Sequence, residues 1–399
     1  MCRRLLASLG ASLLLLLTQA AGADVLELSK DCGTTPAPPC FEDDIAGLLD
    51  EIHNPTGGRA VPSATNPVTV EVGPGTFDLS DLTNPYCDGV SNLTYRGAGI
   101  GSSVFTGGGW NNGSEGGTFA VELVDCGSVE FQHLAIVADG TSSVSGVRFQ
   151  GDGTSRWRDV LIDAQIVAWY DKGSTSSDDS VHYWWDSKLV ANPKATTPFF
   201  FGATLYGGSS TQSFFGCHLE ADREPGAFAA SFGNIYANAD VQYEFFASRL
   251  FSRSQGQTWN VFLGPILGGG PAGANVNFHG GEIEIESTGG ATALRTIAAS
   301  IRSRGTRFTI NGTTKQRIAV LGGSPTIDSP YSHGTGADPP VLPGSYSLEG
   351  QDTFLETDCS GTLCNDTSQG AEHHLLSFDP GCNTAGPWRD TKTGSCRGV

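Results

Sequence analysis

The 399-residue chain holds 54 glycines, about twice the usual share, with 38% hydrophobic and only 16% charged residues. Low charge argues against a disordered polyelectrolyte, and the scarcity of Met argues against a helical bundle. Acidic residues outnumber basic ones 42 to 23, for a net charge of −19, which argues against nucleic acid or an anionic membrane as partner, since phosphates are held by basic patches.

Residues 1–23 read as a secretory signal peptide. Arg3 and Arg4 form the positive end, Leu5 to Leu17 the apolar run, and Ala21-Gly22-Ala23 a small-residue cleavage site. The apolar run is shorter than the roughly 20 residues of a membrane span. Without the leader, 21 basic residues face 42 acidic ones, a net −21. Export permits disulfides. Spacing suggests Cys32/Cys40, Cys87/Cys126, Cys359/Cys364 and Cys382/Cys396, although sequence leaves the connectivity open. Cys217 is then left over, expected as a buried, inert thiol.

Residues 24–66 are expected to form an N-terminal cap. Within it, FEDDIAGLLDEI at 41–52 places Phe41, Ile45, Leu48, Leu49 and Ile52 on one helical face, with three acids in the first turn. Residues 67–322 carry a repeat. The strings FQHLAI, WRDVLI, WWDSKL, FFGCHL, FFASRL and FHGGEI each open on an aromatic and close on an aliphatic residue. Their closing residues are Ile136, Ile162, Leu189, Leu219, Leu250 and Ile283, at intervals of 26 to 33 residues. An earlier copy is Tyr95…Ile100, and a degenerate later one Ser303…Phe308.

This pattern predicts an all-β fold, a right-handed parallel β-helix whose aromatic and aliphatic side chains stack as internal ladders. His133, Asp159, Asp186, Gly216, Ser248 and Gly280 are expected at tight bends. Segments such as 145–150, 165–170, 198–206, 228–233 and 258–264 supply a third strand per turn. Variable loops explain the drifting period. The helix would cap the open end of the solenoid. Residues 323–399, rich in Pro, Gly and Ser and holding four Cys, read as a disulfide-containing C-terminal cap or tail.

With these parts in place, the chain resembles the pectate-lyase-like superfamily of parallel β-helix proteins over roughly residues 41–320. The resemblance rests on EDDIAGLLDEI at 42–52, VTVEVGPGTFDLS at 68–80 and LTYRGAGIGSSVF at 93–105. These match that family's D-D-x-x-A helix, a strand ending in P-x-G-x-Y/F, and a strand ending in R-G-x-G. The polygalacturonase-like set of N-x-D, D-D, G-H-G and R-x-K is missing, as is a pectinesterase-like set.

The resemblance implies a substrate groove along one strand face and its loops. That surface collects the cluster Glu220, Asp222, Arg223 and Glu224, with Lys194 in the preceding turn. A lyase acting on uronic-acid chains needs a cation on the substrate carboxylate, a base, and a stabiliser for developing charge. Glu220, Asp222 and Glu224 are the candidate ligands for Ca²⁺. Arg223, Asp222 and Lys194 are the candidate catalytic residues. Trp169, Tyr170, Phe200 and Trp259 are candidates for stacking on sugar rings. His133, His182, His218 and His279 occur singly in different turns and read as structural hydrogen-bonding residues. The expectation is a secreted monomer that binds, and as a lyase or glycoside hydrolase cleaves, an extracellular polysaccharide. A non-catalytic adhesion or structural β-helix is the alternative.

Overall fold

The computed structural model describes residues 24–33, 39–80, 87–107, 118–138, 144–172, 180–192, 201–207, 210–222, 231–237, 241–254, 258–263, 275–288, 290–297, 300–304, 306–311, 314–322, 326–328, 333–335, 347–348, 353–356, 374–378, 388–390 and 396–397. Its strands stack in parallel as three ladders of a β-solenoid. The first ladder runs through Asp24–Ser29, Val68–Val72, Ser91–Gly97, the leading halves of Ser128–Val137 and Thr154–Ala164, then Ser180–Trp185, Ser210–Phe215, Val241–Phe246, Asn275–His279 and Ser300–Arg304. The second holds Gly75–Asp78, Ser103–Thr106, the trailing halves of the two long strands, Lys188–Ala191, His218–Asp222, Arg249–Ser254, Glu282–Ser287 and Arg307–Asn311. The third is an eight-stranded sheet running from Thr118–Val124 to Thr314–Gly322 among the described residues.

The interior follows the sequence repeat. Tyr95, Phe131, Trp157, Trp184, Phe214, Phe245 and Phe278 stack one above another, with ring centroids 4.5 to 5.7 Å apart and planes within 14° of parallel. Ile136, Ile162, Leu189, Leu219, Leu250 and Ile283 form the aliphatic ladder beside them, each fully buried. Each such burial contributes about 1.5–3 kcal/mol, and each ring pair about 0.5–1.5 kcal/mol more. The degenerate copy keeps register, with Ser303 opposite Phe278 and Phe308 opposite Ile283. The early copy differs. Tyr95 joins the aromatic ladder, but Phe105, not Ile100, pairs with Ile136, and Ile100 is exposed.

The bends between first and second ladders fall on His133, Asp159, Asp186, Gly216, Ala247 and Gly280, all with φ between 48° and 72°. Ser248, the expected bend residue of its turn, lies one place later. It is buried, and its hydroxyl receives the backbone N–H of Cys217 at 3.1 Å. Gly97 is needed for a different reason: a Cβ there would lie 2.4 Å from the carbonyl oxygen of His133 in the next turn.

The single described helix, α1 (Ile45–His53), begins later than the 41–52 expected. Phe41 and Glu42 belong to the strand Cys40–Glu42, so the three acids precede the helix instead of filling its first turn. Asp44 becomes the N-cap, accepting the N–H of Gly47 at 2.8 Å. Ile45, Leu48, Leu49 and Ile52 are buried in the core, with Phe41 packed against it. Disulfides Cys32–Cys40 and Cys87–Cys126 are present. Cys217 is free, and burial pushes its thiol up to about 12.

Parallel stacking is wider than residues 67–322. It starts at Asp24 and continues through Thr326–Asp328, Ser347–Leu348, His333–Thr335 and Thr353–Glu356. Antiparallel pairing then takes over in His374–Phe378, Trp388–Asp390 and Cys396–Arg397. Cys359, Cys364 and Cys382 lie outside the described residues, as does the side chain of Cys396. No described helix is long and apolar enough to cross a membrane.

Candidate functional site

Strand alternation sends the first residue of each repeat string inward and the second outward, and in the last four strings the second is also a ring. The second members are Trp185, Phe215, Phe246 and His279, which pair in register up the first ladder. The three large rings are partly exposed and His279 more so. Their centroids lie 5.8, 4.9 and 4.6 Å apart, with planes within 11° of parallel. Tyr183 stacks beside Trp185 at 5.7 Å, and the guanidinium of Arg158 covers the other end at 4.0 Å. The row is bordered by Ser213, Glu244 and Asn277 on the same face. Glu244 accepts from Asn277 Nδ2 at 2.5 Å and pairs with His279 Nε2 at 2.8 Å.

Around the bend, the outward side of the second ladder is charged. Lys188 Nζ pairs with Glu220 at 2.7 Å, Arg249 with Glu284 at 2.5 Å, and Arg253 Nε donates to Asp222 at 2.9 Å while its terminal nitrogen meets the other carboxylate oxygen. Hydrogen bonds to Asp222 and Glu284 hold Arg253 and Arg249 still more firmly protonated. Both guanidinium groups lie 5.7 Å from the ring of Phe251. His218 is pulled below its usual range, first by burial and then by Lys188.

Several expected site residues are placed differently. Glu220 and Asp222 are strand residues, not loop residues: Ala221 between them points into the core. Their carboxylates are taken by Lys188 and Arg253, and no described group of three His, Cys, Asp or Glu residues is arranged to hold a metal. Trp169 is fully buried, edge-on to Trp157 and Trp184, so it builds core where sugar stacking was expected. Tyr170 is half-buried on the outward side, 5.6 Å from the ring of Phe119. Lys194, Phe200, Arg223 and Glu224 lie outside the described residues, as does the side chain of Trp259.

Inside the solenoid, Ser155 Oγ lies 2.7 Å from His182 Nδ1, and His182 Nε2 lies 3.4 Å from Asp171 Oδ2. The order serine–imidazole–carboxylate is that of a nucleophilic triad. All three side chains are sealed from solvent. Ser155 Oγ also receives Trp157 Nε1 at 2.7 Å, and the rings of Phe149 and Trp169 flank the imidazole edge to face. Among these buried groups Ser155 Oγ joins Trp157 Nε1 to His182 Nδ1, while His182 Nε2 faces Asp171 without a hydrogen bond, so the arrangement reads as internal polar packing and not as an open site.

The outward row was within reach of the sequence. WW, FF, FF and FH open four consecutive repeat strings, and once the first member is assigned to the core, the second must face out.

No family model matches the chain, and no curated protein is similar to it. Among solved structures, "Geobacillus virus E2 - ORF18" is similar at 13% identity and a TM-score of 0.39, over 94% of this chain and 68% of that one. That degree of likeness carries no argument about function.

Proposed function

We propose that this chain is a secreted β-helix protein that binds an extracellular polysaccharide along the outward row Trp185, Phe215, Phe246 and His279. One observation carries the reading: large apolar rings stand partly exposed, in register and stacked, on one solenoid face. Soluble proteins seldom leave such rings in a contiguous patch without a use, and a row of apolar ring edges offers a surface for the C–H groups of sugar rings. The reading is binding without cleavage, because the two described carboxylates of the expected catalytic cluster, Glu220 and Asp222, are each committed to a cation. Disulfides agree with an oxidising, extracellular setting.

The test is affinity electrophoresis of the purified chain through gels holding a panel of polysaccharides, alongside Trp185→Ala/Phe215→Ala/Phe246→Ala with circular dichroism as a fold control. Retardation by at least one polymer, lost in a folded triple variant, supports the proposal. Unretarded migration in every gel, or full retardation of the triple variant, overturns it. Release of reducing ends or of unsaturated products, with or without Ca²⁺, overturns the binding-only part.

A second reading, a non-catalytic adhesion or structural β-helix, is favoured by the way the row is closed at one end by Arg158 and stacked upon itself. It predicts that the triple variant loses stability and no binding.

A further inference from the structure

We infer that the solenoid interior between Asp171, His182, Gln212 and Tyr243 is a built hydration site that holds ordered water as an internal ligand. A polar chain leads into it. Trp157 Nε1 can only donate, and it takes one lone pair of Ser155 Oγ at 2.7 Å. Ser155 Oγ and His182 Nδ1 share one hydrogen bond at 2.7 Å. Whichever of the two donates, His182 Nε2 is left to find a partner on the far side of the ring. It lies 3.4 Å from Asp171 Oδ2, without a hydrogen bond. Gln212 Nε2 reaches the same oxygen only at 3.5 Å.

His182, Gln212 and Tyr243 occupy one register position on consecutive rungs of the first ladder, and all are buried, as is Asp171. Gln212 Oε1, Tyr243 Oη and the indole nitrogens of Trp169 and Trp184 join His182 Nε2 in having no hydrogen-bond partner among the described residues. The ring of Trp169 lies 4.9 Å from the imidazole and 5.0 Å from the ring of Trp184, so these atoms belong to one section of the interior. Burial, and then the charge of Asp171, raise the phenol of Tyr243, which therefore stays a donor. Buried polar groups of native proteins are nearly always satisfied, by internal water where the chain supplies no partner.

The ligand has to accept from phenol and indole groups and donate to the Asp171 carboxylate and the Gln212 amide oxygen. Water does both. A metal ion accepts no hydrogen bond, and one carboxylate with one imidazole falls short of a closed protein metal site. The third ladder makes room. Tyr170 pairs with Tyr206, and Tyr206 with Tyr236. The residue that follows is Asp171 in the first of these turns, then Gly207 and Ala237 in the turns that lead into the strands of Gln212 and Tyr243. Bulk at that register position thus falls away where the polar side chains of the first ladder need partners.

The test is a crystal structure of the purified chain at a resolution that shows ordered water, with elemental analysis of the same sample. It is joined by magnetic relaxation dispersion of water oxygen, which counts long-lived internal waters, on the parent and on Gln212→Leu/Tyr243→Phe. The expected result is density within hydrogen-bonding distance of at least two of His182 Nε2, Gln212 Oε1 and Tyr243 Oη. The variant is expected to lose at least one long-lived water while keeping the parent's circular dichroism. An interior with no such density, or a folded variant that keeps the full count of waters, overturns the inference. A metal present in stoichiometric amount and seated at that density overturns it as well. If the variant does not fold, the density and the elemental analysis of the parent decide by the same outcomes.

Discussion

The guanidinium of Arg158 lies 4.0 Å over the ring of Trp185 while its Nε donates to Glu130 at 2.7 Å. One side chain thus closes the upper end of the outward aromatic row and ties it to the turn above. Removing it as Arg158→Ala strips a cation–π contact from a partly exposed site, a loss of about 0.5–2 kcal/mol. The variant is expected to melt slightly earlier and to show greater acrylamide quenching of tryptophan fluorescence, because the upper face of Trp185 opens. Unchanged quenching would mean that Arg158 does not shield that ring in solution.

Trp184 and Trp185 are neighbours with opposite fates. Trp184 is fully buried between Trp157 at 4.9 Å and Phe214 at 5.7 Å, and Trp185 stands partly in solvent. Trp184→Ala leaves a large internal void and is expected to cost about 3–5 kcal/mol. Trp185→Ala loses mainly ring stacking, about 0.5–1.5 kcal/mol. Urea denaturation of the two variants under one set of conditions measures the difference, and similar midpoint shifts would contradict the assigned faces.

Ala247 occupies the left-handed region at φ 48°, in a stack where the neighbouring turns place Gly216 and Gly280. That conformation costs an alanine about 1–2 kcal/mol. Ala247→Gly removes the cost and adds roughly 0.5–1 kcal/mol of chain entropy to be lost on folding. The net expectation is a modest gain, about 0.5–1 kcal/mol, seen as a higher melting temperature.

The interior was legible because burial imposes it. A residue in the aromatic or aliphatic ladder must be apolar in every turn, so the strings beginning at Phe131 and Trp157 announce the stack directly. Strand phase in the third ladder was not legible. Trp169 and Tyr170 are adjacent aromatics, and only the pairing of Trp169 with Val147 shows which one faces in. The acidic string at Glu220 and Asp222 resembles a loop in composition. The small Ala221 between them is the inward residue of a strand, and the partners of both acids come from turns 31 residues away or more. Contacts between turns of drifting length depend on a register that one string does not reveal.

Glu51 gives a pH prediction. Burial alone would raise its carboxyl, but hydrogen bonds from Arg59 and Thr56 pull harder and leave it below the ordinary range. A carboxylate with a depressed folded value stabilises the fold above the unfolded value, about 4.3 for Glu, and loses that contribution as pH falls through the folded value. Glu51→Gln should therefore be less stable than the parent at neutral pH, by roughly 1.5–3 kcal/mol. The gap should close as the solution is acidified below pH of about 4. Melting temperatures of both proteins across that range check the sign; a gap that widens in acid would refute it.

Glu122 and Arg148 face each other at 3.0 Å across adjacent strands of the third ladder, with each side chain only 1% exposed. Arg148 also donates to Gln150 at 2.7 Å and lies 5.6 Å from the ring of Phe119. Two charges removed from water recover their desolvation cost only through each other and such neighbours. Deleting one partner as Glu122→Leu leaves a buried guanidinium without its carboxylate and is expected to cost about 3–5 kcal/mol. Replacing both, as Glu122→Leu/Arg148→Met, removes the stranded charge together with its partner and should recover most of that loss. A double-mutant cycle by chemical denaturation measures the coupling. If the double variant is as unstable as the sum of the single ones, the two groups act independently, and the stability of this region lies in the apolar packing of Val121, Leu123, Val147 and Phe149 beneath them.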